Sequence, residues 1–363
     1  MRLKKILQAR RRFSIRIDMT ELDMWLGLAA NYKATDIHIA EGRPPRLRIE
    51  GDVVPMNNAA ALPVEGVIKD LFSRLRPAQK ERAEKLLQEN LDVDCSFENP
   101  DGSRVRANVY RTRDGRALAL RMIPAKRLTA AEIGIPEAAV KMCRARNGLF
   151  IVTGPNGSGK TSTLAAMLDI INETRPVHIL TIEDPVEYVI KSRRAWVSQR
   201  EVYTDVPNFY SALRSAVREN PDVIMLGEMR DLETTRTALE LAETGHLVLA
   251  TLHTRGAIST VDRLIGQFEG GEQYQIKMML SENLLGVLSQ ILVPRVGGGL
   301  IAAFELLFSS PSVKNLIREQ KAGQLLSVLQ TNQKSGMISM AEALRNMEKK
   351  GLIKSAAEYL QEW

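Results

Sequence analysis

The apolar positions of the first third of the chain change period several times. From Thr20 to Ala30, Leu22, Trp25, Leu26 and Ala29 recur at helical spacing behind Thr20 as a cap. Asp36-Ile37-His38-Ile39 and Arg46-Leu47-Arg48-Ile49 then alternate as strands, and Glu50-Gly51-Asp52 turns the chain into Val53-Val54. Helical patterns cover about residues 65–76 and 78–90, a strand runs from Asp92 to Phe97, and Asn99-Pro100-Asp101-Gly102 makes a turn. A small α+β domain is predicted over residues 18–123.

The last hairpin of that domain carries chemistry. Val105, Ala107 and Val109 alternate with Arg104, Arg106 and Asn108, and Asp114-Gly115 predicts a two-residue turn that sets Asn108 opposite Arg121. Residues two apart share a face, so Arg104, Arg106 and Arg121 are expected on one side of the sheet with no interleaved acid. Such a face is either a solvated charged surface or one that meets an anion.

Residues 124–135 read as a linker, and residues 136–363 as a second domain. There, short apolar strands at Leu149–Thr153, Ile179–Ile182, Val223–Leu226 and Leu247–Thr251 alternate with helical patterns. That rhythm predicts an α/β fold with a mainly parallel sheet covered on both faces. From about residue 275 the chain is expected to be helical, with Met278, Met279, Leu284, Leu285, Val287 and Leu288 as core. Gly297-Gly298-Gly299 reads as a flexible turn, and Ser312–Ile317 as the start of a further helix.

Composition adds little to this outline. The 363 residues, 44% hydrophobic and 26% charged, suit an ordinary two-domain protein. The net charge of +7 resides in residues 1–17, where Arg2, Lys4, Lys5, Arg10, Arg11, Arg12 and Arg16 stand without an acid. The remaining body is neutral, which argues against a large nucleic-acid surface; the tail is a membrane-surface contact, a disordered leader or an upstream start choice ahead of Met19. No apolar run approaches the roughly 18 residues of a spanning helix, and no secretory signal is visible, so a cytoplasmic location is expected. Cys95 and Cys143 are too isolated for a disulfide framework or a zinc site.

Candidate chemistry centres on Asn147–Ile171. An apolar strand runs into Gly154-Pro155-Asn156-Gly157-Ser158-Gly159-Lys160-Thr161, and a helical pattern follows. This spacing is the phosphate loop: glycines turn consecutive N–H groups inward around an anion, at the positive end of the next helix. Lys160 is expected on the β- and γ-phosphates of ATP, and Thr161, followed by Ser162, on Mg²⁺ and the phosphates. In a parallel sheet the ligand lies beyond the C-terminal strand ends, where Glu183, Asp184 and Glu187, then Glu228, then His253 follow their strands. Two carboxylates, one orienting water and one on Mg²⁺, together with a neutral histidine sensing phosphate, meet the needs of ATP hydrolysis.

At these residues the sequence resembles the secretion ATPase superfamily of type II secretion and type IV pili. The resemblance runs from about Met19 to about Gly351 through the phosphate loop, Thr181–Glu187, Leu213-Arg214 to Arg218-Glu219-Asn220-Pro221-Asp222, Gly227–Asp231 and Thr251–Thr254. Within the superfamily it is most similar to the pilus retraction ATPases, the PilT family. Two isolated cysteines cannot build the zinc insertion of the extension and secretion relatives, and there is no room for their extra N-terminal domain. Ser312–Ile317 is similar to the retraction motif Ala-Ile-Arg-Asn-Leu-Ile and departs from it at Ser312, Val313 and Lys314.

The resemblance implies a PAS-like N-terminal domain, a RecA-like ATPase domain and a homohexameric ring. It implies that Glu187 positions the hydrolytic water, that Glu228 acts through Mg²⁺, and that His253, with His246 nearby, reports nucleotide state. Arg106 and Arg121 match arginines that reach the phosphates, and Arg214 and Arg218 match arginines near the nucleotide at subunit boundaries. The implied partner is an inner-membrane pilus platform protein, the implied location is peripheral to that membrane, and the implied work is pilus retraction. The alternatives are a related secretion or conjugative DNA-transfer motor and a module that binds ATP without hydrolysing it.

Overall fold

The computed structural model describes residues 20–49, 51–56 and 59–361. The basic tail of residues 1–17 and Glu50 of the expected turn lie outside the described residues. The chain divides into two units, Met1–Ala125 and Lys126–Trp363.

The first unit opens with α1 (Glu21–Tyr32), where Thr20 and Asp23 form a capping box, satisfying N–H groups that the first turn would leave unpaired. It continues through β1 (Asp36–Ala40), β2 (Arg43–Ile49), β3 (Asp52–Pro55), α2 (Val64–Ser73), α3 (Pro77–Gln88), β4 (Val93–Glu98), β5 (Arg104–Thr112) and β6 (Gly115–Ile123). The six strands make one antiparallel sheet in the order β3-β2-β1-β6-β5-β4. Ile37, Ile39, Leu47, Val105, Ala107, Leu118 and Leu120 turn one face into a core with Leu22, Trp25 and Leu26 of α1 and Val67, Ile68 and Leu71 of α2. Each large side chain buried there stabilises the unit by roughly 1.5–3 kcal/mol before ordering costs.

The hairpin register differs from the expected one. Thr112 pairs with Gly115, so Arg113 and Asp114 make the turn and Arg106, not Asn108, faces Arg121. Gly115 is instead at a close approach, since a Cβ there would meet Glu41 Cβ at 2.9 Å. The slip moves each partner by two positions and so preserves the face: Arg104, Arg106 and Arg121 share one side. That side does carry an acid. Asp36 lies opposite both Arg48 and Arg121, with its carboxylate 3.0 Å from Arg121 Nε and 3.5 Å from Arg48 Nε.

The second unit contains α4 (Ala130–Ile133), α5 (Glu137–Met142), β7 (Gly148–Thr153), α6 (Lys160–Thr174), β8 (His178–Glu183), β9 (Trp196–Glu201), α7 (Phe209–Glu219), β10 (Val223–Leu226), α8 (Leu232–Glu243), β11 (Leu247–Leu252), α9 (Ala257–Gly266), α10 (Gly270–Asn283), β12 (Leu284–Pro294), β13 (Leu300–Phe308), α11 (Pro311–Arg318), α12 (Leu325–Thr331), α13 (Met340–Lys349) and α14 (Ala356–Leu360). Seven strands form a sheet in the order β13-β12-β7-β11-β10-β8-β9, parallel except for the β12–β13 pair. Every residue of β7, β10 and β11 is buried, as expected of parallel strands covered on both faces. One cover includes α7, α8, α9 and α10, and the other includes α5 and α6.

Leu284–Pro294 and Leu300–Phe308 correct the expectation that the chain is helical beyond residue 275. A continuous apolar run does not separate a doubly covered strand from a buried helix, and β12 is such a strand, between β7 and β13. Gly297, Gly298 and Gly299 all take positive φ in the turn that joins the pair. The consequence is functional, because β12 lies beside the strand that feeds the phosphate loop.

Candidate active site

The phosphate loop leaves β7 at Thr153 and enters α6 at Lys160. Gly154 has φ +146° and Gly159 +86°, conformations that side chains rarely adopt. A Cβ on Gly154 would lie 2.2 Å from the Gln290 carbonyl oxygen and 2.8 Å from Ser158 Oγ, so the loop is pressed against β12. Gln290, buried in β12, completes the support: its amide donates to the Ser158 carbonyl and accepts from Thr163 Oγ1 at 2.7 Å. The loop fits an anion on its own chemistry. Among the described residues Ser158 Oγ is buried without a hydrogen-bond partner, and Gly159 caps α6 without a side chain that could occupy the N–H groups of its first turn.

Lys160 curls over the loop and donates to the carbonyl oxygens of Gly154 (2.9 Å) and Pro155 (3.0 Å). Desolvation lowers its pKa, opposed by the negative charges of Glu228 and Glu187, so both carboxylates act at the lysine. Lys160 Nζ also lies 3.4 Å from His253 Nδ1, and His253 Nε2 lies 3.2 Å from Glu228 Oε2. A charged lysine can only donate, which makes Nδ1 the acceptor and leaves the proton on Nε2, directed at Glu228. Glu228 also pairs with Arg230 at 2.6 Å. Lys160, His253, Glu228 and Arg230 therefore form a continuous chain of alternating donors and acceptors beyond the strand ends. Thr161 and Glu228 supply hard oxygen donors of the kind Mg²⁺ takes.

The acidic segment behaves less uniformly than its sequence suggests. Glu187 acts electrostatically on Lys160, whereas Glu183 is buried, accepting from Thr181 Oγ1 (2.7 Å) and Gln199 Nε2 (3.1 Å). Burial, only partly offset by these donors, pushes the Glu183 carboxyl up from 4.5 to about 7. Between those values the folded chain holds a proton that the unfolded chain has lost, so this carboxyl lowers stability as pH rises through the interval. Glu183→Gln should remove that slope. Thermal unfolding from pH 5 to 8 is expected to show the wild type losing roughly 3 kcal/mol relative to the variant.

Other expected site residues are placed elsewhere. His246 precedes β11 and His253 follows it, so the two stand at opposite ends of that strand, on the order of 20 Å apart. His246 accordingly bonds the Leu241 carbonyl, and the expectation that it lies near His253 is corrected. Arg214 and Arg218 are exposed on α7, with Arg214 over the Tyr210 ring. Arg106 and Arg121 belong to the first unit, side by side on β5 and β6. Cys95 and Cys143 are each buried, one in each unit, and burial holds the Cys143 thiol at about 12.

Sequence reading passed over Gln290, Gln199 and Tyr188. Gln290 carried a detectable signal, a polar residue inside the apolar run of β12. Tyr188 places its hydroxyl 3.2 Å from Ser162 Oγ, joining the acidic segment to the first turn of α6. The motif-like helix α11 buries Val313 and Ile317, while Lys314 and Arg318 grip Glu282 of α10. The departure at Val313 thus keeps an aliphatic residue in the core.

The family model described as "Type II/IV secretion system protein" matches residues 18–357. The chain is 44% identical over 337 residues to the type IV pilus retraction ATPase PilT of Pseudomonas aeruginosa, covering 93% of this chain and 96% of that one. It is 46% identical over 310 residues to a twitching motility protein of Neisseria gonorrhoeae, covering 85% and 82% of the two chains. A crystal structure of the pilus retraction motor PilT with bound ADP superposes with a TM-score of 0.84 at 42% identity, over 94% of this chain and 97% of that one. With both units and the whole site inside these matches, the chain belongs to the type II/IV secretion system protein family and, within it, to the PilT group.

Proposed function

We propose that the chain is the motor ATPase of type IV pilus retraction, working as a homohexameric ring on an inner-membrane platform protein at the cytoplasmic side of that membrane. The observation that carries this reading is identity of 44% spread over nearly the full length of a retraction ATPase, both units included. The α11 segment is consistent with it, since Asn315, Leu316 and Ile317 of the retraction-type motif are kept in a helix that packs through Val313 and Ile317.

In this reading ATP enters with its phosphates in the loop of residues 154–161. Thr161 and Glu228 would hold Mg²⁺, which neutralises charge on the β- and γ-phosphate oxygens. Lys160 exchanges the loop carbonyls for phosphate oxygens, and His253 orients Glu228 by donating to it. Glu187 orients a water for attack on the γ-phosphorus and takes its proton, while the bond to the ADP oxygen breaks and the electron pair leaves on ADP. Ser162, in the first turn of α6, and Glu183 and Asp184, at the end of β8, would border the nucleotide. Arg214 and Arg218 serve at a subunit boundary.

Arg106 and Arg121 bind the γ-phosphate from the first unit, and hydrolysis releases them. Asp36 gives this step a return position, because Arg121 leaving phosphate regains a carboxylate 3.0 Å away. Gaining and losing that contact once per turnover would, in a ring, drive a partner seated in the pore.

Deleting the gene tests the reading. Cells are expected to keep or accumulate surface pili while losing twitching, with both restored by the wild-type gene. Loss of pili from the surface would assign the motor to extension or secretion instead.

A further inference from the structure

The loop that carries Glu187 is fastened to the edge strand β9 at alternate residues. Val186 N donates to Glu201 Oε2 at 3.1 Å, Gln199 Nε2 donates to the Tyr188 carbonyl at 2.9 Å, and Ile190 N donates to Gln199 Oε1 at 2.7 Å. Gln199 Nε2 also reaches Glu183 Oε1 at 3.1 Å. Glu187 therefore sits between a residue held by Glu201 and a residue held by Gln199. On its other side the same Tyr188 meets Ser162 at the start of α6.

We propose that Gln199 is the positioning residue for Glu187, fixing where its carboxylate meets the attacking water and tying that position to the edge strand. The assignment rests on the proposed role of Glu187. Chemistry selects an amide here. One side chain must donate to two oxygens and accept one N–H within a half-buried site, which neither a carboxylate nor an ammonium does. A carboxylate at 199 would add a further acid beside the buried Glu183 and repel the Tyr188 carbonyl. The edge strand is also where an external contact would act on the loop. β9 ends the sheet order, and Trp196 at its start is 74% exposed.

The test uses the full chain and three variants, Gln199→Met, Gln199→Asn and Glu187→Gln, with steady-state hydrolysis, equilibrium binding of a fluorescent ATP analogue and thermal unfolding. Gln199→Met keeps the volume and removes the three side-chain hydrogen bonds. It is expected to lower kcat about 10- to 50-fold while ATP affinity stays within about threefold, since small misplacements of a reacting group cost up to about 100-fold. Gln199→Asn, which keeps the amide one methylene shorter, should recover part of that loss. A kcat within twofold of wild type for Gln199→Met, beside a large loss for Glu187→Gln, would overturn the assignment. So would equal losses of kcat and ATP affinity in both Gln199 variants, which would mark the residue as support for the whole nucleotide site. If Gln199→Met does not fold, Gln199→Asn decides by the same split. Should Glu187→Gln itself keep full turnover, the proposed role of Glu187 fails, and the role of Gln199 fails with it.

Discussion

Glu187→Gln is expected to lower kcat about 100- to 1,000-fold and to leave ATP affinity within a few-fold of wild type. Glutamine has nearly the volume of glutamate, and the fastenings of the loop use the backbone of Val186, Tyr188 and Ile190, so the loop keeps its course. In the proposed mechanism the substitution removes the charge that would polarise water and accept its proton. It also removes one of the two negative charges that act on Lys160, while Glu228, paired with Arg230 and His253, remains. Lys160 therefore keeps one of these charges beside it. Single-turnover phosphate release and nucleotide titration separate the two effects; turnover within threefold of wild type would remove Glu187 from the chemistry.

The parts of this site that were legible in the sequence are those that lie close together along the chain. Gly154 to Thr161 is a contiguous segment whose glycines, lysine and flanking strand and helix are visible without tertiary structure. Glu187, Glu228 and His253 could be read because parallel strands place their C-terminal ends at one edge, so position after a strand implies position at the site. The same rule separates His246 from His253, since six residues of β11 lie between them.

What could not be read depends on strand order. Gln290 reaches the loop because β12 lies beside β7, and Gln199 reaches the acidic segment because β9 lies beside β8. Neither neighbour relation is encoded locally. β12 passed as helix because both its faces are covered, and β9, with Trp196, Ser198 and Arg200 along it, lacks the apolar run that marked the other strands. On the first unit the face of Arg106 and Arg121 was predictable from period two, but Asp36 arrives from β1, more than 80 residues earlier. Its partnership with Arg121 is revealed only by the sheet order.

Gly154→Ala should have the largest effect of any single-methyl change in the loop. Two independent obstacles coincide there: φ of +146° lies where an L side chain is strained, and the new Cβ would stand 2.2 Å from the Gln290 carbonyl oxygen. That oxygen cannot retreat easily, because Gln290 lies in β12 and pairs with Phe304 of β13. The loop must therefore move, taking Ser158 away from the Gln290 amide and leaving buried polar groups unpaired. A destabilisation of about 3 kcal/mol and at least about a 100-fold loss of ADP affinity are expected. Gly157→Ala provides the contrast. Its φ of +76° carries strain, yet nothing lies within 4 Å of the added carbon, so about 1 kcal/mol and less than about a tenfold loss of affinity should follow. Thermal unfolding and nucleotide titration of the two variants check the ranking. If Gly154→Ala bound ADP as tightly as Gly157→Ala, contact with β12 would not be what sets the shape of the loop.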